Sequence, residues 1–138
     1  VIADDEPLVR SYLRSLVAEA LPSGATVLEA CDGKELAALV AEGRADAAFV
    51  DIRMPRMDGF AAMDAAREAG RRIPWFVLSS HSDFAYAKKA LELGAAGYAL
   101  KPPSPEEISN ALSVLADAVA EERRVRLEKF EHDWTLFS

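Results

Sequence analysis

Asp51 closes the apolar run Ala47-Ala48-Phe49-Val50 and opens the string Asp51-Ile52-Arg53-Met54-Pro55-Arg56-Met57-Asp58-Gly59. Four apolar residues before a carboxylate predict a buried strand whose last side chain emerges at the carboxyl edge of a sheet. Pro55 and Asp58-Gly59 then predict a tight exit loop before the next helical pattern. Open parallel sheets gather ligands outside the carboxyl ends of their strands, so a carboxylate held there is a candidate nucleophile or metal ligand. Three other polar groups follow apolar runs in the same way: Asp4-Asp5 after Val1-Ile2-Ala3, Ser79 after Trp75-Phe76-Val77-Leu78, and Lys101 after Gly97-Tyr98-Ala99-Leu100.

Asp4, Asp5 and Asp51 gathered at one edge would repel and raise one another's pKa unless a cation neutralised them. A hard divalent ion with oxygen ligands, Mg2+ above all, suits such a set and keeps positions open for phosphate oxygens. Lys101 adds a compact positive charge fitted to a phosphoryl or carboxylate oxygen. Ser79 adds a hydroxyl able to donate to an oxygen of an arriving phosphoryl group. The four together fit in-line attack by a carboxylate on phosphorus, with a metal and a lysine spreading the developing charge. Taken singly, each has a plainer role. An Asp pair before a helix is commonly a cap, and Asp58-Gly59 reads as a turn and helix start rather than a ligand. A serine after a strand, a Lys-Pro turn, and His81 in a loop without an evident partner are ordinary structure. The group carries the reading, not any member.

The elements that must position these residues alternate. Strands are predicted over 1–3, 25–30, 47–50, 75–78 and 97–100, with helices over 7–20, 34–42, 60–69 and 84–93 between them. Leu8, Tyr12, Leu13, Leu16 and Val17 give the first helix its apolar stripe, and Pro7 sits in its first turn. Ser82 or Asp83 caps the fourth helix and Gly94 ends it. Such short alternating units predict an α/β fold, a parallel sheet with helices on both faces. A last helix is predicted from Ser104-Pro105-Glu106-Glu107, with Ser104 as its cap and Ile108, Ala111, Leu112, Leu115 and Val119 on one face. Residues 1–119 thus form one domain, and 120–138 a helical extension or linker. Charges of both signs dominate 121–133, yet Leu127, Phe130, Trp134 and Phe137 keep helical spacing beyond what one small domain requires. Either they fold back onto the domain or they form an interface leading to another domain.

Composition narrows the function classes. A chain of 138 residues, 51% hydrophobic and 28% charged, is sized for a single packed core. The net charge of −7 and the lack of a helix-turn-helix pattern with basic recognition residues argue against direct binding to nucleic acid. The same charge argues against an anionic membrane surface, and no apolar stretch reaches the length of a span or signal peptide. The chain starts without Met inside a strand, so residues are expected to precede it. Cys31 stands alone, cannot form an internal disulfide, and is expected as a small, partly buried filler in a reducing, cytoplasmic setting.

The strings Asp4-Asp5-Glu6-Pro7, Asp51-Ile52-Arg53-Met54-Pro55 with Met57-Asp58-Gly59, Leu78-Ser79, and Tyr98-Ala99-Leu100-Lys101-Pro102 closely resemble the receiver domain of two-component response regulators. Phe84-Ala85-Tyr86-Ala87-Lys88-Lys89-Ala90-Leu91 with Gly94-Ala95 is similar to the fourth-helix pattern of receivers joined to AraC-type DNA-binding domains. The resemblance implies a five-stranded flavodoxin-like fold over 1–119. It implies that Asp51 accepts a phosphoryl group from the phosphohistidine of a sensor histidine kinase. Asp5, Asp51 and the Arg53 backbone carbonyl would hold Mg2+, with Asp4 acting directly or through water. Ser79 and Lys101 would contact the phosphoryl oxygens. Tyr98 matches an aromatic switch position expected to turn inward as Ser79 moves, shifting the population of an output surface on the fourth helix, fifth strand and fifth helix. A homodimer through that surface or through the last helix is a further expectation.

Three departures bear on the site. Ser79 stands where Thr is commoner, Ser80 where Ala or Gly is usual, and Pro103 follows Lys101-Pro102 in the loop to the last helix. Arg53, two residues past the acceptor, lies where the family tunes phosphoryl lifetime. None removes a required group. The resulting expectation is a phosphorylatable switch that assists its own phosphorylation without being a turnover enzyme, and that controls transcription through an attached domain. An unphosphorylated scaffold of the same fold is the alternative, although a scaffold has no need of these charges. An aspartyl-phosphate hydrolase of the haloacid dehalogenase type is disfavoured, because its nucleophile and acid share one Asp-x-Asp loop.

Overall fold

The alternation of apolar runs and amphipathic helices yields a five-stranded parallel sheet in the computed structural model, which describes residues 1–80 and 84–137. In chain order the elements are β1 (Ile2–Ala3), α1 (Pro7–Ala20), β2 (Glu29–Ala30), α2 (Gly33–Ala41), β3 (Ala48–Asp51), α3 (Gly59–Glu68), β4 (Trp75–Ser79), α4 (Phe84–Glu92), β5 (Gly97–Leu100) and α5 (Pro105–Phe137). The strands lie in the order β2-β1-β3-β4-β5, all parallel. The chain runs outward from β1 to β2, then returns to the other side of β1 and continues outward through β3. That reversal places a topological switch point between the carboxyl ends of β1 and β3, where such sheets form their ligand crevice.

Both faces of the sheet are covered, as an all-parallel sheet requires. Phe49 and Leu78 face α1 and α5, where they pack with Ile2, Leu13, Ile108 and Leu115. Their neighbours Val50 and Val77 point the opposite way and pack with Leu36, Val40, Phe60 and Met63 of α2 and α3. The period of two along β3 and β4 therefore splits one apolar run between two cores.

Helix starts follow their caps. The Asp58 carboxylate accepts from the Ala61 amide at 2.8 Å and starts α3 at Gly59. Ser104 and Glu107 bond each other's backbone amides reciprocally, at 3.1 and 3.2 Å, forming a capping box ahead of α5. Asp32, to which the sequence assigned no role, caps α2 by accepting from the Glu35 amide at 2.8 Å. The expected caps Ser82 and Asp83, and the expected loop residue His81, lie outside the described residues.

Two expectations are corrected. The strand predicted over 25–30 shrinks to Glu29–Ala30, because β2 is an edge strand and its partner β1 is two residues long. Cys31 is exposed, not partly buried. Ala30 takes the buried place at the strand end, while the Cys31 amide and thiol both donate to the Glu35 carboxylate.

The last helix runs unbroken for 33 residues, about 50 Å at the usual rise. Ile108, Ala111 and Leu115 are buried against the sheet, but every described side chain from residue 120 to residue 135 is exposed. Leu127, Phe130 and Trp134 therefore do not fold back onto the domain.

Candidate functional site

Asp4 and Asp5 follow β1 and Asp51 ends β3, so the switch point sets the two adjacent strand ends side by side. One carboxylate oxygen from each of Asp4, Asp5 and Asp51 lies within 4.8 Å of the other two. Asp4 is fully buried and Asp51 nearly so, while Asp5 is exposed. The cluster thus has a closed floor and an open rim.

Lys101 follows β5, two interstrand spacings or about 10 Å from β3. Its stem spans the gap across β4 and delivers the ammonium 2.8 Å from Asp4 Oδ2 and 3.3 Å from Asp51 Oδ2. The lysine side chain is only 6% exposed, so both contacts are shielded from water and little screened. Its backbone amide donates to the Ser79 carbonyl at 2.8 Å, tying the loop to the end of β4. Ser79 itself is buried at that end, and Asp51 pairs in register with the preceding residue, Leu78. The Asp4 carboxylate also accepts from the Glu6 amide at 2.9 Å, which explains its fixed buried position.

The electrostatics are unbalanced. Three carboxylates face one ammonium, and a fourth, Glu6, lies 3.6 Å from the same nitrogen. Burial pushes the Asp51 carboxyl up from 3.8 to about 6, and the neighbouring charges of Asp4 and Asp5 add to the rise against the pull of Lys101. Burial alone would lower the Lys101 pKa. Its hydrogen bond to Asp4 and the charges of Asp51 and Asp4 reverse that and raise it. A site with this excess of hard, anionic oxygen donors, one side of it exposed, fits a small divalent cation such as Mg2+.

The backbone around the acceptor is tightly built. A Cβ on Gly59 would stand 2.4 Å from the Asp51 carbonyl oxygen, so the start of α3 approaches the end of β3 as closely as only glycine permits. The Gly59 amide donates to the Ile52 carbonyl at 2.8 Å and closes the loop. Within it Arg56 takes φ 69° and reaches Asp32 at 3.3 Å.

Of the residues singled out from the sequence, the structure brings Asp4, Asp5, Asp51 and Lys101 together and sets Ser79 at the neighbouring strand end. Asp58 is a cap, as expected, and not a ligand. The Arg53 side chain turns away from the carboxylates. Its guanidinium donates to the Tyr86 hydroxyl at 3.1 and 3.3 Å, linking the loop after Asp51 to α4. Tyr98 is half-buried on β5 and packs against the α2 and α3 side of the core. Sequence reasoning missed the Arg53–Tyr86 contact and the Glu6 approach to Lys101. Neither leaves a spacing signal, since both depend on how loops curl back. A second acidic group, Cys31, Asp32 and Glu35, also converges, and the capping of α2 accounts for it.

Comparison with known proteins agrees with this geometry. The family model described as the response regulator receiver domain matches residues 1–113. The positive alginate biosynthesis regulatory protein of Pseudomonas aeruginosa is 37% identical over 114 residues, covering 81% of this chain and 44% of that protein. The uncharacterised transcriptional regulatory protein YxjL of Bacillus subtilis is 31% identical over 128 residues, 93% of this chain and 58% of the relative. The chain spans about half the length of the curated relatives it matches. Among solved structures, the signal receiver domain of the putative response regulator NarL from Mycobacterium tuberculosis superposes with a TM-score of 0.73 at 32% identity, over 86% of this chain and 93% of that one. A flavodoxin-like sheet, an acidic cluster at its switch point and a family match over most of its length lead to one conclusion: the chain belongs to the response regulator receiver domains of two-component signalling.

Proposed function

We propose that Asp51 is the phosphoacceptor of this receiver and takes its phosphoryl group from the phosphohistidine of a sensor histidine kinase. The observation that carries the reading is the Lys101 ammonium bridging Asp4 and Asp51 beside a third carboxylate, at the switch point of the sheet. An Asp51 carboxylate oxygen attacks phosphorus, the P–N bond breaks, and its electron pair returns to the imidazole of the kinase. Asp5, Asp51 and the Arg53 carbonyl would hold Mg2+, with Asp4 acting directly or through water, and the ion would supply charge neutralisation. Lys101 then exchanges its bond to Asp51 for a phosphoryl oxygen, and the Ser79 hydroxyl donates to another. Tyr98 and the surface of α4, β5 and α5 carry the output as a population shift. The receiver assists this transfer and its reversal but does not turn over a substrate.

Control of transcription in the cytoplasm through an attached DNA-binding domain is the output this reading favours. It draws support from the names of the regulatory relatives, and no helix of the described residues is long and apolar enough to cross a membrane.

Acetyl phosphate with Mg2+ is the direct test. Intact-mass measurement should find one added phosphoryl group, lost on Asp51→Asn and on chelation of the metal. Beryllofluoride should shift the amide resonances of Ser79 and Tyr98. A folded protein that shows neither an adduct nor a beryllofluoride response would leave the unphosphorylated scaffold. Sustained release of phosphate from a small phosphomonoester would make it a hydrolase.

A further inference from the structure

We infer that a cavity at the end of the sheet opposite the carboxylates binds a small organic phosphate, a monoester whose anionic head meets Arg67, Arg71 and Arg72 while its apolar body lies on Trp75. The cavity has a volume of about 290 Å3 and lies beside the ends of α3 and α4, with Met63, Ile73 and Trp75 as its apolar wall and the three arginines completing its lining. Ligand pockets begin at about 300 Å3, so this one suits a small molecule. Trp75 begins β4 and pairs with Ala48, whereas Asp51 pairs with Leu78, three residues or about 10 Å further along the sheet. The cavity is therefore distinct from the acidic cluster, and failure of the proposal is separable from failure of phosphotransfer.

The arginines are carried on fixed turns. At the end of α3, Gly70 takes φ 83°, its amide donates to the Arg67 carbonyl at 3.0 Å, and the Arg71 amide donates to the Ala66 carbonyl at 3.1 Å. This pair of bonds closes the helix end and sets the backbone that carries Arg71 and Arg72. Helices α2 and α4 end in the same way, at Gly43 and Gly94. Two guanidiniums brace those neighbouring ends. Arg67 donates to the Leu93 carbonyl at 2.6 Å, and Arg71 to the Ala41 carbonyl at 3.2 Å. Each contact engages one nitrogen of a group that carries five N–H donors. The Arg72 side chain has no hydrogen bond or ion pair among the described residues, so helix bracing does not account for it.

Charge names the ligand. Arg10, Arg14, Arg44, Arg56, Arg123 and Arg124 each contact a carboxylate. Arg67, Arg71 and Arg72 have no ion pair among the described residues, in a chain of net charge −7. A helix end carries about half a negative charge, so three ends against three guanidiniums leave an excess of roughly 1.5 positive charges. A phosphate monoester carries about −1.5 to −2 at neutral pH and three acceptor oxygens, which matches both the excess and the unused donors. A carboxylate, with a single charge, leaves part of the excess unmatched. Inorganic phosphate has the charge but leaves the wall of Met63, Ile73 and Trp75 in water.

The test uses the whole chain with phenyl phosphate as the probe, in a chelator so that no metal draws phosphate to the carboxylates. Trp134→Phe leaves Trp75 as the only tryptophan. In that background the fluorescence should change saturably with a Kd below about 1 mM, and the amide resonances of Ile73 and Gly94 should shift with it. Inorganic phosphate should bind about tenfold more weakly for want of an apolar body, and phenol should not bind measurably. Arg72→Gln, which removes no contact among the described residues, should weaken phenyl phosphate binding about tenfold. Arg71→Gln with Arg72→Gln should abolish it while the amide resonances of the sheet stay in place. Asp51→Asn should bind as the parent does. No saturable response, an affinity for inorganic phosphate or phenol equal to that for phenyl phosphate, or binding indifferent to Arg72→Gln would overturn the proposal. So would binding lost on Asp51→Asn, which would put the phosphate at the acidic cluster instead.

Discussion

Replacing Asp51 by Asn should make the metal-free protein more stable at neutral pH, even though it removes a functional group. The ionised carboxylate sits in a buried cluster that raises its pKa from 3.8 to about 6. That gap corresponds to about 3 kcal/mol against the charged form in the folded state. The figure is already net of the attraction to Lys101, and a neutral amide oxygen at the same place can still accept from that ammonium. For a domain of this size about 3 kcal/mol is worth roughly 10 °C in Tm. The pH dependence fixes the sign. Below 3.8 both folded and unfolded chains hold the proton, and Asp51 contributes no penalty. Between 3.8 and about 6 only the unfolded chain releases it, so stability falls as pH rises. Above about 6 the whole penalty is present. The advantage of Asp51→Asn should therefore be near zero at pH 3.5 and full at pH 7.5. Thermal unfolding in a chelator, followed by far-UV circular dichroism across that range, measures it. Millimolar Mg2+ should then raise the parent's Tm and narrow the gap. A variant no more stable than the parent at pH 7.5, or one whose advantage does not change with pH, would refute the reasoning that burial and repulsion dominate at this carboxylate.

Lys101→Ala should destabilise the chelated protein by about 3 kcal/mol at pH 7.5, since it strips a buried cation from Asp4 and Asp51. Urea unfolding checks this, and a loss below 1 kcal/mol would mean that the ammonium is not holding the cluster. Affinity for Mg2+ should fall about tenfold for each pH unit below about 6, as a proton on Asp51 competes with the ion. Calorimetric titration at pH 5 and pH 7 measures the ratio. Ser104→Ala should cost about 1 kcal/mol through the lost capping box and leave Mg2+ affinity unchanged, because the cap lies outside the cluster. Parallel unfolding and titration experiments separate the two effects.

Much of this was legible in the sequence, for reasons particular residues make clear. The first helix, Pro7–Ala20, was legible to the residue, because Pro7 fixes its start and the apolar pattern gives it a face; of that predicted stripe only Leu13 and Val17 are buried, while Leu8 stands in solvent. The strand ends carrying Asp51, Ser79 and Lys101 were legible because an apolar run stops at a polar group. The length of β2 was not, because it depends on how much of β1 is there to pair with. The exposure of Cys31 was also hidden, since one step along a strand end reverses which side chain faces the core.

Residue types and spacing by themselves determined that this is an alternating α/β chain with three carboxylates, a hydroxyl and an amine at strand ends, because hydrophobic period and turn chemistry are local properties. Only the tertiary structure decided that β1 and β3 are neighbours, that Lys101 crosses β4 to reach both Asp4 and Asp51, and that Arg53 turns to Tyr86 instead. It decided too that α5 leaves the domain at Arg123 with Leu127, Phe130 and Trp134 in solvent. Strand order, burial and the resulting pKa of Asp51 arise from contacts between segments far apart in the chain, and local spacing carries no record of which segments will meet.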